Sequence, residues 1–134
     1  MNYLEDYDVI KIDSIVKYIQ KMNIRCLTIE EIFETTSEQF LQIDKETIVK
    51  KEIASINKFE LEAISKSIRL HINNYGLCYI SKVSSYVNFP NLKYKWNKYL
   101  LLGIVRTYLR DEYRIIQTNR SNNYLNLEFE VRRN

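Results

Sequence analysis

A chain of 134 residues has room for one domain or two very small ones, and at 46% hydrophobic and 28% charged it can bury a core rather than remain disordered. Two glycines and one proline are too few for a sandwich or barrel built on many tight turns. The net charge of +3 hides an asymmetry: residues 1–66 carry 9 Lys+Arg against 13 Asp+Glu, and residues 67–134 carry 11 against 4. Any polyanion partner is therefore expected at the C-terminal half.

Cys26 and Cys78 stand far apart without neighbouring His or Cys. No zinc pattern or disulfide framework is visible, and two reduced, buried thiols are the default. No apolar run is long enough to cross a bilayer, and the first residues have neither the basic nor the apolar region of a secretory signal. These features predict a soluble, cytoplasmic or nucleoid-associated protein.

In residues 9–22, Val9, Ile12, Ile15, Val16 and Ile19 recur at helical spacing among Lys11, Lys17, Gln20 and Lys21, which predicts an amphipathic helix ending at Asn23. Ile24–Leu27 is short enough to be extended. Thr28-Ile-Glu-Glu31 reads as a capping box opening a helix of about two turns through Ile32 and Phe33. Its surface is acidic (Glu30, Glu31, Glu34, Glu38), and without a His or Asp to complete a ligand set this is a solvated face rather than a metal site.

Residues 40–56 have two readings. Phe40–Val49 could form a hairpin turning at Asp44-Lys45-Glu46, or Ile48, Val49, Ile53 and Ile56 could line a helix running on from Asp44. The abundance of Glu, Lys and Ala favours the helix. Asn57-Lys-Phe-Glu60 then looks like a helix cap. Leu61, Ile64, Ile68, Ile72 and Tyr75 descend one face of the helix that follows, and Gly76 stops it. His71 sits one residue off that stripe with no second ligand or nucleophile beside it, and reads as packing or surface.

Leu77–Ile80 is strand-like, and Ser81 can cap a short helix, Lys82–Val87, broken by Asn88-Phe-Pro-Asn91. From Tyr94 to Arg110, Trp96, Leu100, Leu101, Ile104, Val105 and Tyr108 share one broad helical arc. Lys95, Lys98, Arg106 and Arg110 fall opposite it, predicting a basic stripe in solvent. Asn97 points toward the buried arc and is placed to close the turn before the helix. Arg114–Thr118 and Tyr124–Arg132 predict two strands joined by the polar loop 119–123. Leu125, Leu127, Phe129 and Val131 alternate with Glu128, Glu130 and Arg132, which places the two carboxylates on the outer face.

In order, residues 59–132 read helix, strand, short helix, turn, long helix, strand, loop, strand. That order resembles the winged helix-turn-helix superfamily, at the level of architecture and over roughly the last 75 residues. The resemblance implies that Lys82–Val87 and Trp96–Arg110 are the two helices of the helix-turn-helix and that the loop 119–123 is the wing. In that superfamily the second helix commonly enters the major groove while the wing touches backbone or minor groove. Carried onto this chain, the DNA-contacting residues would be Lys93, Lys95, Lys98, Tyr99, Leu102 and Arg106, with Arg120, Asn122 and Asn123 at the wing tip and Lys82 on a phosphate. Lysine and arginine neutralise phosphates, amides and arginine reach base edges, and Tyr99 could lie against sugars.

The expected fold class is mainly α (α+β): a helical N-terminal region, residues 1–56, followed by a winged-helix domain, residues 57–134, with a C-terminal β-hairpin. The expected function is non-enzymatic binding of double-stranded DNA, in a transcription regulator or a replication or mobile-element protein, with no cofactor, metal or membrane. The N-terminal region would cover the apolar face of the long helix, dimerise, or hold a partner protein. The alternative is a winged-helix protein–protein interaction module in a larger assembly, without nucleic-acid contact. One lone His, no glycine-rich phosphate loop and no paired catalytic carboxylates argue against an enzyme.

Overall fold

The computed structural model describes residues 7–21, 29–76, 78–79, 89–117 and 129–134. It is an α+β fold with two three-stranded antiparallel sheets; the sequence predicts a short strand before the long helix and a C-terminal hairpin, and weighs the first sheet's hairpin only as the alternative over residues 40–49. Among the described residues, no helix is long and apolar enough to cross a membrane.

The first sheet is built from β1 (Val9–Lys11), β2 (Phe40–Gln42) and β3 (Thr47–Lys50), in the order β1-β3-β2. The predicted helix over 9–22 is therefore α1 (Ile12–Lys21) preceded by a strand. Val9 shares the helical spacing but is exposed, and its backbone pairs with Val49 instead. α2 (Ile29–Thr36) follows as the predicted two-turn helix.

The favoured helix over residues 40–56 is corrected to the hairpin β2–β3, and only α3 (Lys51–Ala54) is helical. Asp44 Oδ1 accepts the Glu46 amide at 2.8 Å, Gln42 Nε2 donates to Asp44 O at 3.2 Å, and the Ile43 amide donates to Thr47 O at 3.0 Å. A turn stabilised by its own Asp, next to the β-branched run Thr47-Ile48-Val49, outweighs the helical preference of the flanking Lys and Glu.

This sheet has core on both faces. Phe40 and Ile48 pack with Ile10, Ile15, Ile19, Ile32 and Phe33, while Leu41 and Val49 join the larger core of the C-terminal half. Successive residues on a strand point to opposite faces, so one hairpin supplies both clusters.

α4 (Lys58–Tyr75) begins and ends as its sequence predicts. Asn57 Oδ1 accepts the Glu60 amide at 2.8 Å while Glu60 Oε1 accepts the Asn57 amide at 2.9 Å, a reciprocal capping box. Gly76, at φ +81°, ends the helix and donates its amide to Ile72 O. Ile64 and Ile68 are buried.

β4 (Cys78–Tyr79), β5 (Tyr113–Gln117) and β6 (Phe129–Arg133) form the second sheet in the order β4-β6-β5. α5 (Lys98–Tyr108) lies between β4 and β5 in sequence and at the centre of the larger core. The side chains of Leu100 through Thr107 are all buried, eight in succession. A helix buried on every side needs neighbours all round. Here the N-terminal half supplies the missing wall: α5 packs across β2, with Gly103 against the backbone of Gln42 and Thr107 Oγ1 donating to Phe40 O at 3.0 Å. The core thus crosses position 56, joining Leu41, Val49 and Ala54 to Ile64, Leu101 and Ile104.

Candidate nucleic-acid interface

The segment before α5 is shaped by its aromatic residues. Phe89 and Trp96 stack with ring centroids 4.7 Å apart, and Trp96 Nε1 donates to Pro90 O at 2.8 Å. Trp96 therefore anchors this turn instead of lying on the helix, and Tyr94 to Asn97 are not helical. Asn97 is the helix cap: its Oδ1 accepts the Tyr99 and Leu100 amides at 2.9 and 3.0 Å, and its Nδ2 donates to Ile43 O at 2.9 Å. One side chain thus starts the helix and ties it to the β2–β3 turn.

This shift of the helix start relocates the first lysines. Lys93 and Lys95 are exposed on the segment leading in, and Lys98 is the first helical residue. Lys93 Nζ donates to Ile53 O at 3.1 Å, and Lys98 Nζ lies 5.3 Å from the Tyr99 ring centroid. No carboxylate among the described residues pairs with any of the three, and the first turn of α5 holds no acidic residue. The positive end of the helix dipole and three ammonium groups therefore share one ledge.

The rest of the predicted stripe is elsewhere. Leu102, only 1% exposed, is inside the core, and Tyr99 is half-buried against it. Arg106 is 8% exposed; its Nη1 donates to Gln42 Oε1 at 3.2 Å and its Nε lies 3.7 Å from Glu34 Oε2. Arg110 donates through Nη2 to Glu34 Oε1 at 3.1 Å and to Ser37 Oγ at 2.6 Å. The expectation that Leu102 and Arg106 face solvent is corrected, because α2 and β2 cover that side of the helix; Arg110, just past the helix end, is exposed as predicted but pairs with Glu34. A helical wheel defines the face opposite an apolar arc, but not what the rest of the chain lays on it. The usable hint was the charge asymmetry, since acidic Glu34 of the first half meets two arginines of the second.

Lys82, the predicted helix 82–87 and the predicted wing residues Arg120, Asn122 and Asn123 lie outside the described residues. The reading of Glu130 as an outward charge is also corrected. It is buried on the central strand β6, and both its oxygens accept from Arg132, at 3.0 and 3.1 Å. A buried carboxylate held by a two-pronged guanidinium presents little field to solvent.

Beside the ledge, Tyr108 and Tyr94 form a second group that the sequence did not single out. Burial, then the Glu52 carboxylate, then Tyr94 push the Tyr108 phenol up to about 12, and burial alone raises Tyr94. Lys51 Nζ sits 5.2 Å from the Tyr108 ring centroid. These phenols stay neutral at physiological pH, so the group offers ring faces and hydroxyls but no nucleophile. Among the described residues no cluster of three or more His, Cys, Asp or Glu is placed to hold a metal ion. Comparison with known proteins finds no matching family model, no matching curated protein and no matching solved structure.

Proposed function

We propose that the protein binds double-stranded DNA without catalysing a reaction, as a winged-helix-like regulator of transcription or a replication or mobile-element protein. The observation that carries this reading is the ledge of Lys93, Lys95 and Lys98 at the amino end of α5, three cations with no carboxylate partner among the described residues. Ammonium groups in this setting suit phosphate oxygens and release counterions on binding. The sheet order β4-β6-β5, which joins the strand before the long helix to the two after it, supports the winged-helix reading.

The burial of Leu100–Thr107 limits how such a helix is used. Only its first turn and the residues before it are available, so these contacts position the duplex rather than read its bases. Fluorescence anisotropy with a mixed-sequence duplex tests this. Three phosphate contacts give a slope of log affinity against log salt of about −2.7. Lys95→Glu with Lys98→Glu should reduce that slope by about two and weaken binding at all sequences alike, with the fold unchanged by circular dichroism. Absence of binding by the wild-type chain at low salt would sink the reading.

The pairing of Arg106 and Arg110 with Glu34 favours a second reading. The basic helix already serves as an internal protein–protein surface, so the chain would be an interaction module without nucleic-acid contact. Partner binding that is insensitive to salt would point there.

A further inference from the structure

The outward side of α4 carries a pattern that the fold leaves unused. Phe59, Ala63, Lys66 and Leu70 follow one another by four, three and four residues, which aligns them in one stripe opposite the buried Ile64 and Ile68. Phe59 is 81% exposed and Leu70 50% exposed. Single exposed apolar residues are ordinary. Two at the ends of a heptad-spaced stripe, with a small alanine between them, form a seam narrow enough for a second helix.

The charges decide which helix fits. Glu62 and Arg69, seven residues apart, flank the same edge of the stripe on either side of its midpoint. Laid parallel in register, two copies of α4 would set Lys66 on Lys66 and hold Glu62 and Arg69 on the opposite side of the seam from their counterparts. Laid antiparallel about a two-fold axis between Ala63 and Lys66, Phe59 of each copy meets Leu70 of the other. Lys66 then passes over the small Ala63, and Glu62 meets Arg69 twice. Their present partners are weak competitors: Lys58–Glu62 spans 4.0 Å and Arg69–Glu112 spans 3.5 Å, both between largely exposed side chains.

We propose that α4 pairs antiparallel with α4 of a second copy of this chain, forming a two-fold dimer. The interface is isologous, each patch being its own complement. It does not depend on the nucleic-acid reading.

Sedimentation equilibrium of the full chain at concentrations up to about 0.5 mM, enough to detect sub-millimolar dissociation constants, tests this. A monomer–dimer equilibrium is expected, and Phe59→Asp should abolish it. That residue is exposed in the first turn of α4, where a carboxylate suits the helix dipole, so the circular dichroism spectrum should not change. Glu62→Lys and Arg69→Glu should each weaken the dimer by about tenfold, because every dimer contains the contact twice, and the double variant should regain most of the loss. A monomer at every concentration, a dimer indifferent to Phe59→Asp, or a double variant no better than the single ones would overturn the proposal.

Discussion

Arg106 and Lys95 are both cations that the helical wheel put on one stripe, yet they do different jobs. Arg106 is enclosed with Gln42 and Glu34 as partners, and its removal would leave a buried amide oxygen without a donor. Lys95 is exposed and carries its charge into solvent. Tyr108 shows the same dependence on surroundings through its acidity. An unfolded phenol ionises near pH 10, whereas the folded one keeps its proton to about 12, held by burial and by Glu52. The stability this contributes is complete below the unfolded value and is lost as pH rises through the folded one. Urea denaturation between about pH 9 and pH 12 should therefore show stability falling above pH 10, and Tyr108→Phe should make that fall shallower. Comparison with the variant isolates this phenol from the chain's other tyrosines.

At the scale of elements, the two glycines mark what was legible and what was not. Gly76 ends α4 with a positive φ, and a run of polar residues before a glycine after a helical pattern announces that locally. Asn57 and Glu60 likewise sit three residues apart, so their capping box could be read directly. Gly103 has no local signature. It lies mid-helix, where glycine costs stability, and its reason is the backbone of Gln42, distant in sequence. A Cβ there would fall well inside contact distance of Gln42 O and 2.9 Å from Gln42 Cβ. Gly103→Ala should lower stability by about 1–2 kcal/mol, an overpacking cost of up to about 3 kcal/mol partly offset by alanine's better helix propensity. The urea midpoint measures it, and an unchanged or raised midpoint would mean that β2 and α5 are not in close contact. The hairpin over 40–50 was ambiguous for a related reason: Asp44-Lys45-Glu46 can open a helix or turn a chain, and burial of Ile48 and Val49 on opposite faces decided it.

At the scale of the whole molecule, the opposite charges of the two halves are in part a private arrangement, spent where Glu34 meets Arg106 and Arg110. The apolar excess of α5 was legible, as was the need for something to cover it. That the cover is a sheet edge followed from pairings no periodicity contains. Because Leu41, Val49 and Ala54 complete the core around α5, residues 57–134 alone should lack a cooperative thermal transition, whereas the full chain should show one. Calorimetry of both distinguishes the cases, and a cooperative transition in the fragment would mean that the shared core is dispensable.

Strand β2 is an edge strand, and the helix that seals it is distant: Thr107 reaches Phe40 across 67 residues of chain. A ribosome adding about 5–20 residues per second needs about 3–13 seconds to make that span. For that interval a nascent chain carries an unsealed strand edge that another chain can pair with. The helix at the centre of the finished core is thus also the last safeguard against chains pairing with one another during translation.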